Sequence, residues 1–213
     1  MTIAGGRQLF HFTHMRNLPS IFNEGRLVSD TTMQGRGGVL VECGDTAIKS
    51  ERRTRPITTA PKGVPADYVP FYFAPRSPML YKINKGGVPT YQDGQQPLVY
   101  LITSIDSVRH SGRPFVFSDG NCASAITKHF SDLDDLDRRV DWSVIEARTW
   151  ANTAADGDRM RRRMAEFLVH EFLPIGTIQE IGTYDQARKR AVEQLLQASG
   201  IDLSVTVRRD WYF

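Results

Sequence analysis

Only two cysteines, Cys43 and Cys122, occur in the 213 residues. That is too few for a disulfide framework, and they are not spaced as a Cys-x-x-Cys metal or redox motif, so both are expected as reduced thiols. Long apolar runs are missing as well. The longest, such as residues 98–102, stop far short of the roughly 18 to 20 residues of a membrane-spanning helix. Residues 1–8 carry a single charge, Arg7, with no apolar stretch behind it to form a secretory leader. These absences predict a cytoplasmic protein. Familiar chemical signatures are also lacking: no G-x-G-x-x-G or G-x-x-x-x-G-K-[ST] phosphate loop, no H-E-x-x-H and no G-x-S-x-G. The histidines show no metal-ligand spacing with the cysteines, so no metal is expected.

What is present is an ordinary globular composition, 40% apolar and 24% charged, long enough to bury one core. A single domain over residues 1–213, and a monomer, are the expectation. The net charge of +3 favours an anionic partner only weakly. Its distribution says more: basic residues gather at Lys49, Arg52, Arg53 and Arg55 and again at Arg159 and Arg161 to Arg163, with acidic Asp132, Asp134, Asp135 and Asp137 between them. That asymmetry is compatible with nucleic acid on one face.

Periodicity predicts a strand at residues 9–12, then a helix bearing Leu18, Ile21 and Phe22 that Gly25 stops. Residues 29–66 have little apolar periodicity and one helix, about 45–53; so long a stretch is usually functional or disordered. Residues 68–73 are aromatic and β-branched and read as a strand, which Pro70 places near an edge or bulge. Residues 74–78 read as a rigid turn, and 97–103 as a buried strand. A short strand follows at 115–117, then a turn at 118–121 and a polar stretch to Arg163. Further strands are predicted at 164–169, 178–184 and 204–209, with a helix at 186–198 that Gly200 ends. Strands outnumber long helices and do not alternate with them, so the fold class is α+β, a mixed sheet with peripheral helices.

Among chemically able residues, His11, Thr13 and His14 cluster where a first strand ends, a usual place for a site on a rigid scaffold. The plainer reading is that Thr13 or Asn17 caps the next helix while one histidine packs and the other is solvated. Arg52 and Arg53 read most simply as a solvated face with a carboxylate pair. Glu166 interrupts an apolar run, where an unpaired charge is costly. Either it serves a site, or Glu166 and Leu168 face outward from a half-exposed strand.

Five blocks then stand in order: 10–14 (FHFTH) with Asn17 and Leu18, 67–81 (DYVPFYFAPRSPMLY), 117–121 (FSDGN), 165–169 (AEFLV) and 210–213 (DWYF). Together they resemble the DarT family of DNA-modifying toxins along nearly the whole chain. The resemblance implies an ADP-ribosyltransferase fold, a split and strongly bent antiparallel sheet, with NAD+ as co-substrate in its cleft. It implies transfer of ADP-ribose to thymine in single-stranded DNA in a sequence-dependent manner, and a macrodomain antitoxin like DarG as partner.

Carried over residue by residue, the resemblance implies NAD+ contacts at His11, Phe12, Thr13, Ser20 and Val28. A cofactor-covering element at about 34–53 would contribute Arg52, with Arg53 the alternative within the doublet. Glu166 matches the catalytic glutamate, and about 119–166 matches the loop that bears the target base. DNA contacts are expected at Tyr72, Arg76, Ser77, Met79, Asp119 and Asn121. Some relatives have a histidine in the 119–121 turn and this chain has none, so the base context stays open. The same fold acting on guanine, RNA or protein, or an inactive NAD+ or nucleic-acid binding module, are the alternatives.

Overall fold

Strand β1, Gln8–His14, and strand β4, Leu98–Ser104, lie side by side in register from Gln8 opposite Ser104 to His14 opposite Leu98. All seven residues of β4 are buried, which is why its sequence is an unbroken apolar run ending in Thr and Ser. Residues alternate between two cores. Leu9, Val99 and Leu101 face one that also holds Leu18, Phe22, Val192 and Leu196. Phe10, Leu98, Tyr100 and Ile102 face the other, with Leu80, Ile83 and Tyr212. The protein, described here for residues 6–213, is a computed structural model. The leaderless reading of the N-terminus therefore rests partly on residues 1–5, which lie outside the described residues.

The other strands are β2 (Arg26–Val28), β3 (Tyr68–Tyr72), β5 (Phe115–Ser118), β6 (His129–Phe130), β7 (Glu166–His170), β8 (Phe172–Pro174), β9 (Glu180–Thr183) and β10 (Ser204–Val207). Eight of them form one sheet in the order β10-β9-β4-β1-β3-β7-β5-β6, and β2 pairs with β8 apart from it. Every pairing is antiparallel except β9 with β10. The expected α+β class with a split, largely antiparallel sheet is what the chain forms. The split is local: β1 and β3 meet at one register pair, Phe10 opposite Tyr72, and diverge beyond it.

The helices are α1 (Leu18–Glu24), α2 (Asp30–Gln34), α3 (Thr46–Thr54), α4 (Pro78–Asn84), α5 (Ile105–His110), α6 (Leu136–Arg139), α7 (Trp142–Glu146), α8 (Arg159–Arg163) and α9 (Gln186–Ser199). Gly25 and Gly200 stop α1 and α9 as expected, each in the left-handed conformation that lacks a steric penalty only for glycine. Among the described residues no helix is long and apolar enough to cross a membrane.

Several expectations need correction. The strand of 68–73 is no edge strand; β3 sits fourth from one end of the sheet's order. Pro70 is tolerated because the neighbour it would have donated to, β1, has already peeled away, which leaves β3 unpaired on that side at Pro70. The turn at 74–78 is also a helix start: Ser77 accepts the Leu80 N–H at 3.2 Å and Pro78 opens α4. Residues 29–66 hold α2 as well as α3, and the polar stretch 119–163 folds into β6 and three short helices, too short to show a period.

Candidate functional site

Where β1 and β3 diverge, a cleft of about 710 Å³ opens, within the usual range for a small-molecule site. Its floor is the end of β7. Glu166 is only 2% exposed and lies opposite Tyr72 in the β3–β7 register. The outward-facing reading of this residue is overturned. Its face of the strand, shared with Leu168, is covered by Ile57, Tyr68 and Cys122, so the charge needs partners. Arg52 Nη1 donates to both carboxylate oxygens at 2.8 Å, and the Cys122 N–H donates to Oε1 at 3.2 Å. Behind it, Ser118 Oγ accepts the Glu166 N–H at 3.0 Å and donates to the Gly120 carbonyl at 2.7 Å, locking the 118–122 turn to the strand.

Helix α3 delivers Arg52. Asp45 starts the helix by accepting from the Ala47 and Ile48 N–H groups, and successive residues on a helix point about 100° apart. Consequently Arg52 turns inward to Glu166 while Arg53 turns outward to Asp30 at 2.8 Å. The plain reading of the doublet as a solvated face describes Arg53 only. Burial opposes the charge on Arg52, yet the adjacent Glu166 outweighs it and raises its pKa above the ordinary arginine value. Its Nη2, buried, has no hydrogen-bond partner among the described residues.

The β1 end supplies the opposite wall. His11 Nδ1–H donates to the Pro70 carbonyl at 2.8 Å, filling the ladder position that β1 vacated. Burial lowers the His11 pKa, against the opposing pull of that hydrogen bond, so the ring is neutral near pH 7 and its Nε2 is an acceptor. The capping expectation also changes. His14 Nδ1 accepts from Arg16 N–H at 3.1 Å and both histidines pack, His14 fully. Asn17 does not cap: its amide donates to Thr13 Oγ1 at 3.1 Å and to the Val41 carbonyl at 2.9 Å, and accepts the Val41 N–H at 2.9 Å. Asn17 thus clips the 34–53 segment to β1, a role that no spacing in the sequence marks.

The cleft brings together His11, Phe12, Thr13, Ser20, Val28, Arg52 and Glu166, and with them Tyr72, Met79 and Asn121. Phe12 stacks on Tyr72 with centroids 6.2 Å apart. Burial, then the charge of Glu166, pushes the Tyr72 hydroxyl pKa upward. Three expected DNA contacts lie outside the cleft. Ser77 is buried and occupied in capping α4. Arg76 sits over the Phe213 ring at 4.5 Å, with positive φ. Asp119 accepts from Arg161 Nη1 and from the Lys128 N–H, each at 3.0 Å. Asn121 holds the turn by accepting the Ala123 N–H at 2.9 Å. Cys122 and Ser118, which build the Glu166 pocket, were not singled out by the sequence, because a buried thiol or hydroxyl carries no pattern of its own.

A paired, buried carboxylate under a guanidinium can stabilise positive charge developing in the cleft. Comparison with known proteins identifies the family. Residues 10–213 match the DarT family, described as ssDNA thymidine ADP-ribosyltransferase. The DNA ADP-ribosyl transferase of Thermus sp. (strain 2.9) is 34% identical over 207 residues, covering 96% of this chain and 95% of that one. A DNA ADP-ribosyl transferase-DNA ADP-ribosyl glycohydrolase fusion protein of Thermosipho africanus is 27% identical over 76% of this chain and 39% of its own length. Among solved structures, Thermus sp. 2.9 DarT in complex with ADP-ribosylated ssDNA superposes with a TM-score of 0.90 at 33% identity, covering 98% of this chain and 97% of that one. The same enzyme in complex with NAD+ gives 0.85 at 33% identity, covering 98% of each chain.

Proposed function

The chain belongs to the DarT family of ssDNA thymidine ADP-ribosyltransferases and is a DNA ADP-ribosyltransferase that uses NAD+; from that premise we propose that Glu166 and Arg52 act on the reacting atoms and that the acceptor is thymine in single-stranded DNA. The observation that carries the assignment is the buried Glu166–Arg52 pair at the floor of the cleft. NAD+, when bound, supplies a ribose whose bond to nicotinamide breaks with positive charge developing on the sugar.

The residues fit such a substrate. The cleft volume suits a dinucleotide, and Arg52 offers a buried Nη2 with no partner among the described residues. Glu166 already accepts three hydrogen bonds, and a carboxylate has about four acceptor positions, so one remains for a sugar hydroxyl. Held at 2% exposure, it stabilises developing positive charge in a medium that screens poorly. His11 Nε2 provides a neutral acceptor on the facing wall. Arg52 does not take the proton that the thymine nitrogen loses, because its raised pKa keeps the guanidinium charged. It orients anionic and carbonyl oxygens instead.

Residues 34–53, clipped by Asn17, would cover the cofactor, and 119–166, tied to Glu166 through Ser118 and Cys122, would bear the target base. The thymine must leave any stack to reach the cleft, which costs least in a single strand. Modified bases would block replication in the cytoplasm, and a macrodomain antitoxin would reverse them; the fused glycohydrolase of the Thermosipho relative supports that partner. The test is incubation with NAD+ and single-stranded oligonucleotides differing at one base, read by intact mass. One added ADP-ribose on thymine-containing strands alone is the expected result. Label on guanine, RNA or protein only would overturn the acceptor, and no label anywhere would overturn the activity.

A further inference from the structure

A second groove, about 540 Å³, adjoins the cleft and shares Phe10 with it. It lies just past the Tyr72–Glu166 register pair: Arg76 follows Tyr72 by four residues and Arg163 precedes Glu166 by three. Helix α8 ends in three arginines, and two are neutralised. Arg161 pairs with Asp119 and Asp158, and Arg162 with Asp141 and Asp156. Arg163 differs. It is 7% exposed, donates from Nη2 to the Pro75 carbonyl at 2.9 Å, and among the described residues has neither a carboxylate partner nor any partner for Nε and Nη1. Burial and then the nearby Arg76 charge, opposed by Tyr100, push its pKa down to about 10. A buried cation left without an anion is costly, and a ligand phosphate is the partner that a planar guanidinium matches.

The rim continues the theme. Arg76 and the exposed Arg148 have no ion-pair partner among the described residues, and Arg7, paired with Asp137, lies 3.5 Å over the Trp142 ring. One carboxylate, Glu146, also borders the groove, leaving it net positive. Trp150 sits on the rim against Tyr81, itself 41% exposed, and Tyr81 meets Phe213, over which Arg76 lies. Cations beside open aromatic faces are the means by which a protein grips a single strand without reading its sequence.

We propose that this groove, floored by Arg163 and rimmed by Arg76, Arg148 and Trp150, holds a backbone phosphodiester of the DNA strand outside the modified nucleotide, with a neighbouring base against the Trp150 shelf. The proposal rests on the single-stranded DNA reading above. It assigns the strand a path out of the cleft past Phe10, on one side of the target base only.

The test is fluorescence anisotropy, without NAD+, using a short thymine-containing strand and the same strand lengthened on its 5′ or its 3′ side. Lengthening on one side should tighten binding to the wild type. Arg148→Glu, at an exposed and unpaired position, should remove that gain, weakening the lengthened strand by about tenfold and lowering the salt slope by about 0.7. Arg163→Met should do the same. Equal binding of lengthened strands by wild type and Arg148→Glu would overturn the proposal. So would a thermal shift with inorganic pyrophosphate that Arg148→Glu removes when strand length has no effect, since the groove would then serve free phosphate. Because binding is read without turnover, a wild type that never modifies DNA would sink the reaction assignment and still leave this length effect measurable.

Discussion

Replacing Glu166 by glutamine separates the chemical use of its charge from its structural use. The carboxylate receives three hydrogen bonds, two of them on Oε1, from Arg52 and Cys122. A glutamine with its carbonyl at the Oε1 position keeps both of these. At the Oε2 position its amide faces the Arg52 Nη1 donor, so one hydrogen bond is lost and two donors are opposed. One such loss costs about 1–3 kcal/mol. Removing the whole side chain would instead leave the cation buried alone, at about 3–5 kcal/mol. For a chain of this size the glutamine variant should melt roughly 2 to 12 °C lower.

Folded domains hold about 5–15 kcal/mol, so even from the low end roughly 2 kcal/mol remains and more than nine-tenths of molecules stay folded at 25 °C. Unfolding therefore cannot account for a large loss of rate. Losing the negative charge aimed at the developing cation should cost about 10²-fold or more in kcat, about 2.7 kcal/mol of transition-state stabilisation. NAD+ affinity, measured by calorimetry, should change far less, because the ground-state contacts persist. Single-turnover modification of a thymine oligonucleotide, read by intact mass, gives the rate. Retention of more than about a tenth of kcat, or a loss seen entirely as weaker NAD+ binding, would refute this role for Glu166.

Three further outcomes follow from the geometry. Arg52→Ala should lower kcat by roughly 10²-fold, whereas Arg53→Ala, which removes only a surface pair with Asp30, should cost about 0.2–1 kcal/mol and leave turnover intact; paired kinetics and melts check this. Ser118→Ala should orphan the Glu166 N–H and the Gly120 carbonyl at about 1–3 kcal/mol each, lowering Tm and kcat together, and an unchanged Tm would show that the turn does not depend on the hydroxyl. His11 and His129 both have pKa values lowered by burial, so below the free value of about 6.5 only the unfolded chain takes up their protons. Stability is then full above about pH 6.5 and falls below it, by at most about 1.4 kcal/mol per pH unit for each histidine, until the folded groups titrate; urea melts at several pH values, with His11→Asn flattening the fall, measure it.

Legibility in the sequence followed the length scale of the pattern. The β4 run, the α1 and α9 stops at Gly25 and Gly200, and the α3 helix expected at about 45–53 are local signals, and each forms where the sequence places it. Helix α6, of four residues, was hidden because it is too short for a 3.6-residue period to register, and α4 because its first residue, Pro78, closes a run that reads as a turn. For the site, Glu166 was visible as a charge out of place in an apolar run. What neutralises it was not, because Arg52 lies 114 residues away and the Cys122 N–H carries no side-chain signal. The doublet Arg52-Arg53 shows the limit well: the sequence presents two equal guanidiniums, and only the helix phase separates an inward one from an outward one.

The cleft itself depends on an interruption that the sequence spells as one proline. In a closed sheet β1 and β3 would pair along their length, and the space that Arg52, His11 and Glu166 surround would be filled by a ladder of backbone hydrogen bonds. Pro70 has no N–H to give that ladder, and beyond Phe10 and Tyr72 the strands separate. The carbonyl of Pro70 would then be left bare within the protein, at a cost comparable to a lost hydrogen bond. His11 meets it with Nδ1–H at 2.8 Å, which fixes the tautomer and turns the ring into a wall of the opening. Closing the sheet and satisfying the cleft are therefore alternatives, and the residue pair Pro70–His11 selects the second. A substitution that restores an N–H at position 70 removes the barrier to pairing on that side, whereas one at His11 leaves an unsatisfied carbonyl facing the substrate.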